Sequence, residues 1–176
     1  MSYSEAVIGI TQDAIQAKLL WIKIEDLSKK KPQGASVEEY SSQFKTVKEK
    51  IEKYDQSEEM KVKLEGLAYS IHINTNQWKE ALLCLDSLEA LGKAHPELEL
   101  EFGLDKILSE RAWILFSFVE EWPENERQQI VLNAQSHLTK AVEVNPKNIE
   151  ARTRLGTLLH VFGNSYLKES KGQEYM

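Results

Sequence analysis

An all-α fold is predicted by three features of this 176-residue chain. Apolar residues recur at helical steps of three and four almost throughout, capping signals and prolines punctuate that pattern, and no two segments alternate like pairing strands. With 41% apolar and 28% charged residues, the composition is that of a globular chain long enough to bury a core without disulfides or a structural metal. Collagen-like and disulfide-scaffold architectures are excluded on the same grounds.

The first predicted helix covers residues 4–30, with Val7, Ile10, Ala14, Ala17, Trp21 and Ile24 on one stripe and Leu20 and Leu27 widening it. Lys29, Lys30 and Lys31 followed by Pro32 and Gly34 end it. Ser36 with Glu39 forms a capping box that opens a second helix on Val37, Tyr40, Phe44, Val47, Ile51 and Tyr54. Asp55 with Glu58 repeats the arrangement and starts a third, which turns Leu64, Leu67, Ala68 and Ile71 inward and breaks at Asn74-Thr75-Asn76. The fourth carries Trp78, Ala81, Leu82, Leu85 and Leu88 and ends near Gly92. The fifth, from about Glu97 to Glu121, carries Leu98, Phe102, Leu108, Ala112, Leu115 and Val119. Its alternating start, Leu98 to Phe102, reads as helix because Pro96 precedes it and no second strand exists to pair with it. Pro123 suits the first turn of a sixth helix, whose buried face is Ile130, Ala134, Leu138 and Ala141 and whose end is Asn145-Pro146. The seventh runs over Ile149, Arg152, Leu155, Leu159 and Phe162, with Gly163-Asn164 turning into a polar tail.

Short connections between consecutive helices give either a closed bundle or a stack of hairpins. Ala134, Leu138, Ala141 and Pro146, followed by Leu155-Gly156, place small residues where helices cross closely and a proline where one helix must stop. The segment with Tyr69, Trp78, Ala81, Leu85 and Leu88 shows the same order. In these two stretches the chain resembles the tetratricopeptide-repeat proteins, whose unit is a helix-turn-helix of about 34 residues. The resemblance implies antiparallel hairpins stacked as a right-handed superhelix of about seven helices. It implies one domain over residues 1–176: an irregular hairpin at 1–56, a repeat-like unit at 57–95, an extended unit at 96–146 and an incomplete unit or end cap at 147–176. Ala81 and Ala134 are 53 residues apart, so the hairpin between them is longer than the standard unit.

No chemistry-bearing motif is present. The four histidines, His72, His95, His137 and His160, show no ligand spacing, and the lone Cys84 sits in an apolar run that predicts a buried thiol. No phosphate loop or nucleophile elbow occurs, so the expectation is a protein that is not an enzyme and takes no cofactor or metal. A net charge of −6 disfavours nucleic acid, and no apolar run approaches the ~20 residues of a membrane span. The acidic N-terminus lacks secretory or mitochondrial targeting features, which predicts the cytoplasm, with the nucleus as an alternative through Lys29-Lys30-Lys31.

Binding is what remains. Similar proteins line a concave groove with the first helix of each pair, and that mapping points to Glu150, Thr153, Arg154, Thr157 and His160, with a protein or peptide as the partner. Trp122, beside Pro123 at a helix end, is the tryptophan expected to be partly exposed, while Trp21, Trp78 and Trp113 read as core. Some family members hold acidic chaperone tails in a clamp of Lys, Asn and Arg, but Gly66, Ser70 and Glu150 replace its residues here and only Arg154 is compatible. Residues 61–110 hold 5 basic and 9 acidic groups, whereas 111–176 hold 8 of each. Arg127, Lys140, Lys147, Arg152 and Arg154 form a candidate basic patch around the last hairpin. The predicted function is a non-catalytic interaction scaffold. Its alternative is an assembly subunit of a larger multiprotein complex, packing through the N-terminal hairpin or the C-terminal end.

Overall fold

A computed structural model of the chain describes residues 15, 19, 21, 22, 25, 26, 37–96, 98 and 103–173, apart from the side chains of 37, 38, 40, 54 and 163–173. The helices are α1 (Val37–Tyr54), α2 (Glu58–Asn74), α3 (Trp78–Ala94), α4 (Leu104–Ser117), α5 (Glu124–Val144) and α6 (Ile149–Gln173), with a 3-10 turn at Val119–Glu121. Among the described residues there is no strand. The described part of the chain is all-helical, as its periodicity predicts, and the chain falls into two compact units, Met1–Leu100 and Glu101–Met176.

In the first unit, α1 buries Phe44, Val47 and Ile51, the expected stripe. Its predicted opening at Ser36 and Glu39 begins outside the described residues, where most of the helix expected at 4–30 and Lys29 to Lys31 also lie. Six positions of that segment are described, and all six are helical. Trp21 is half-buried and donates through Nε1 to Glu25 at 2.9 Å, while Ile15, Leu19 and Ile22 are 53%, 55% and 56% exposed.

Helices α2 and α3, 17 residues each, form a hairpin joined by Thr75, Asn76 and Gln77. Asn76 takes φ 58, a left-handed conformation that asparagine tolerates because its short amide satisfies local backbone. The Thr75 hydroxyl donates to the Ile71 carbonyl at 2.9 Å, closing the end of α2. Gln77 Oε1 then accepts from the Thr75 and Ser41 hydroxyls at 3.2 and 3.3 Å and lies 2.8 Å from His72 Nδ1, fastening α1 to the turn. The start of α2 differs from expectation by two residues. Ser57 is the N-cap, its hydroxyl accepting from the Met60 amide, and Asp55 accepts the Ser57 amide one step earlier. Two oxygen side chains two residues apart thus serve successive amides, and the one nearer the helix is its cap.

The core of this unit adds Leu64, Ala68 and Ile71 from α2, with Val62 and Tyr69 beyond the predicted set, and Trp78, Ala81, Cys84, Leu85 and Leu88 from α3. Lys48 on α1 meets Glu65 on α2 at 2.6 Å. Burial, with Glu65 adding repulsion, pushes the Cys84 thiol up to about 12, so it stays protonated and unreactive at neutral pH.

In the second unit, α4 begins at Leu104 with Gly103 as its N-cap. Leu98 lies in a bend, its amide donating to His95 O at 3.0 Å; the rest of the predicted opening, residues 97 and 99–102 with Phe102, lies outside the described residues. Pro123 is the N-cap of α5, one residue before the predicted first turn. Arg127 secures that entry, donating to the Trp122 and Glu120 carbonyls at 3.1 and 2.8 Å and pairing with the Glu120 carboxylate at 2.8 Å. Ile130, Ala134, Leu138 and Ala141 are buried as predicted and face Ile107, Leu108, Ala112, Ile114 and Leu115 of α4. Ala112, Ala134, Ala141 and Ala151 have no exposed surface, which lets the three helices approach closely.

Two expectations for the last helix are corrected. Its buried residues among those described are Ala151 and Leu158, whereas Ile149 is 77% and Leu159 46% exposed; Arg152, a member of the candidate basic patch, faces solvent. The apolar stripe read from the sequence is a real stripe, but only its edge, Leu155 and Phe162, reaches the interior. Gly163-Asn164 does not end the helix, which continues to Gln173. One interior glycine costs about 1 kcal/mol and weakens a helix without breaking it when no proline follows.

Candidate partner-binding surface

Helices α4 and α6 meet through two polar ties. The first forms where the Asn145-Pro146-Lys147-Asn148 connection passes the start of α4. Asn145 and Asn148 each donate a side-chain N–H to Asp105 Oδ2, at 2.9 and 2.8 Å. Asn148 Oδ1 meanwhile accepts the Ala151 amide at 2.9 Å, so one side chain caps α6 and docks it on α4. Gly103 leaves room for this carboxylate, since a Cβ there would lie 2.9 Å from Asp105 Oδ1. Burial raises the Asp105 pKa, but the amides of Asn148 and Asn145 and nearby backbone N–H groups together outweigh it, holding the carboxyl below its ordinary 3.8.

A carboxylate with a depressed folded pKa contributes stability above its unfolded pKa and loses it as pH falls through the folded value. Asp105→Ala is therefore expected to lower the stability of the second unit by about 1–2 kcal/mol at neutral pH. The difference from wild type should vanish as the pH is taken below 3.8, measured by urea titrations across that range. A difference independent of pH would show that the two asparagines do not depend on the charge.

The second tie is Arg154. Its guanidinium donates to Ser109 Oγ and Glu110 Oε1, both at 3.0 Å, pairs with Glu150 at 2.6 Å, and lies 5.2 Å from the centroid of the Trp113 ring. Only 14% of the Arg154 side chain is exposed. Trp113 itself is 39% exposed, which corrects the expectation of core packing. It stands one residue past Ala112, about 100° around the helix from the Leu108, Ala112, Leu115 stripe, and that angle was the available signal. Phe116, half-buried, adds a tilted ring at 6.3 Å.

The predicted site residues divide accordingly. Glu150, Thr153, Thr157 and His160 are exposed on α6, and the Thr157 hydroxyl donates to the Thr153 carbonyl at 3.0 Å. Arg154 serves the fold as much as the surface, because its hydrogen bonds go to α4 and to its own helix. Helical spacing puts Glu150, Arg154, Thr157 and the exposed Val161 on one side of α6, the side that meets Trp113. Trp122 is half-buried, as expected for partial exposure, and belongs to the α4–α5 connection rather than to this face. The surface thus combines an aromatic platform, a fixed guanidinium and exposed hydroxyls.

Among the described residues no group of three His, Cys, Asp or Glu side chains could hold a metal ion, and no helix is long and apolar enough to cross a membrane. No protein-family model, curated protein or solved structure matches the chain.

Proposed function

We propose that the chain is a non-catalytic interaction scaffold, built from hairpins of tetratricopeptide-repeat type, that binds a peptide or helix of a protein partner along the α4–α6 face. The observation that carries this reading is Trp113, a large aromatic side chain held partly in solvent beneath an arginine that is itself fixed by two carboxylates and a hydroxyl. Tryptophan and arginine are the residues most enriched among binding anchors, and a platform already ordered loses little entropy when a ligand lands on it. Thr157 and Val161 extend the surface with a hydroxyl and an apolar patch suited to the alternating contacts of a peptide. The equal hairpin helices of α2 and α3, with their short turn and fully buried Ala81, support the repeat-type architecture.

The test is selection of peptides from a displayed library on the immobilised protein, followed by titration of those recovered. Trp113→Ala is expected to weaken binding by at least about 30-fold, the scale of a hot-spot tryptophan, with the helical circular dichroism unchanged. Peptides that bind the variant as well as the wild type would place the binding surface elsewhere.

A further inference from the structure

The α4–α6 face is uneven both in charge and in hydrogen bonding, and the two asymmetries point to the same kind of ligand. Two carboxylates, Glu110 and Glu150, share the single guanidinium of Arg154, which lies over Trp113. Asp105 and Lys106, at the start of α4, cancel each other, so the face carries a net negative charge. Its donors are committed to the fold. Arg154 turns inward to Ser109, Glu110 and Glu150, and the Thr157 hydroxyl hydrogen goes to the Thr153 carbonyl. What these side chains still offer a ligand is acceptors: the second oxygen of Glu150, whose side chain is 55% exposed, and the lone pairs of the exposed Thr157 hydroxyl. Trp113 adds an electron-rich ring that the guanidinium covers from one side only, leaving the residue 39% exposed, and such a ring attracts cations.

Building on the peptide-binding reading above, we infer that the partner segment is basic: a lysine or arginine of the partner lies against the open part of the Trp113 ring and donates to Glu150. Repulsion from Arg154 is offset because that guanidinium already pairs with two carboxylates, which leaves the cluster one negative charge in excess. An acidic segment meets excess carboxylate, committed donors and a π face, so it is disfavoured on all three counts. Val161, 45% exposed and two turns along α6 from Arg154, sets an apolar contact about 10 Å from the cation, roughly three residues of an extended chain.

Synthetic peptide pools of equal length, randomised except for a central lysine, norleucine or glutamate, test the inference by titration against the immobilised full chain. The lysine-centred pool is expected to bind about fivefold or more tighter than the norleucine-centred pool, with the glutamate-centred pool weakest. Glu150→Gln, which keeps the shape of an exposed side chain, should remove most of that preference, and added salt should shrink it. Trp113→Ala should abolish it. Norleucine- or glutamate-centred peptides that bind as tightly as the lysine-centred ones, yet still lose affinity in Trp113→Ala, overturn the basic partner and leave the binding surface standing. A lysine preference that survives both substitutions arises elsewhere on this acidic chain and overturns the inference as well. If no pool responds to Trp113→Ala, the surface reading itself falls, and the inference with it.

Discussion

Arg154→Ala is expected to destabilise the second unit by about 3 kcal/mol, because it leaves the largely buried Glu110 carboxylate and the buried Ser109 hydroxyl without the guanidinium that joins them. Glu150, which is far more exposed than Glu110, contributes the smaller share of that loss. The stacking on Trp113 disappears as well, at a further cost of order 0.5–1 kcal/mol. Arg154→Lys should recover only part of the stability, since an ammonium cannot bond two acceptors in the plane of a fork while lying flat on a ring. Urea unfolding read by tryptophan fluorescence measures all three proteins, and a loss below about 1 kcal/mol for the alanine variant would show the tie to be incidental. The same variant would also disturb ligand binding, so Trp113→Ala is the cleaner probe of the surface.

Leu85→Ala should cost about 3 kcal/mol, and Leu83→Ala, two residues away on the same helix, no more than about 0.5 kcal/mol. Leu85 has no exposed surface and belongs to the first unit's core, so truncation leaves a cavity that close-packed neighbours fill only in part. Leu83 is 65% exposed and its loss opens no cavity. Thermal and urea unfolding of the two variants settle the matter, and comparable losses would mean that the orientation of α3 is wrong.

Most of this fold was legible from periodicity because each helix buries one face, and burial leaves steps of three and four in the chain. Phe44, Val47 and Ile51, then Ala81, Leu85 and Leu88, then Ala134, Leu138 and Ala141 all face inward as their spacing predicts. Boundaries were less legible. At the start of α2, Asp55 and Ser57 both carry cap-type oxygens, and Asp55 accepts the Ser57 amide while Ser57 caps the helix through the Met60 amide. The last helix shows a different limit. Its stripe is apolar in the sequence, but a pattern states which residues favour burial, not whether a neighbour exists to bury them.

Within the site, Glu150, Thr153, Thr157 and His160 were predicted exposed on α6 and are. Trp113 was misread because tryptophan in a helix is more often core, while its angle from Ala112 turns it outward. The hydrogen bonds that bring Arg154 to Ser109 and Glu110 span more than forty residues, and local spacing carries no trace of such a pairing.

Ser109, a buried polar residue in a face otherwise made of alanine, leucine and isoleucine, acts as an index mark. Apolar helix faces tolerate sliding, since a leucine one turn away fills much the same space as the one it replaces. Moving α6 by one turn along α4 would set Leu158 or Glu150 where Arg154 now stands. The first leaves a hydroxyl and a carboxylate facing a methyl group, and the second sets two carboxylates together. Asp105, gripping both ends of the Asn145–Asn148 connection, supplies a second mark a turn away on α4. Two marks on one helix, read by Arg154 on the other and by the connection that enters it, define the helices' longitudinal position as a notched scale defines a length, and the hydrophobic packing then needs only to hold them together.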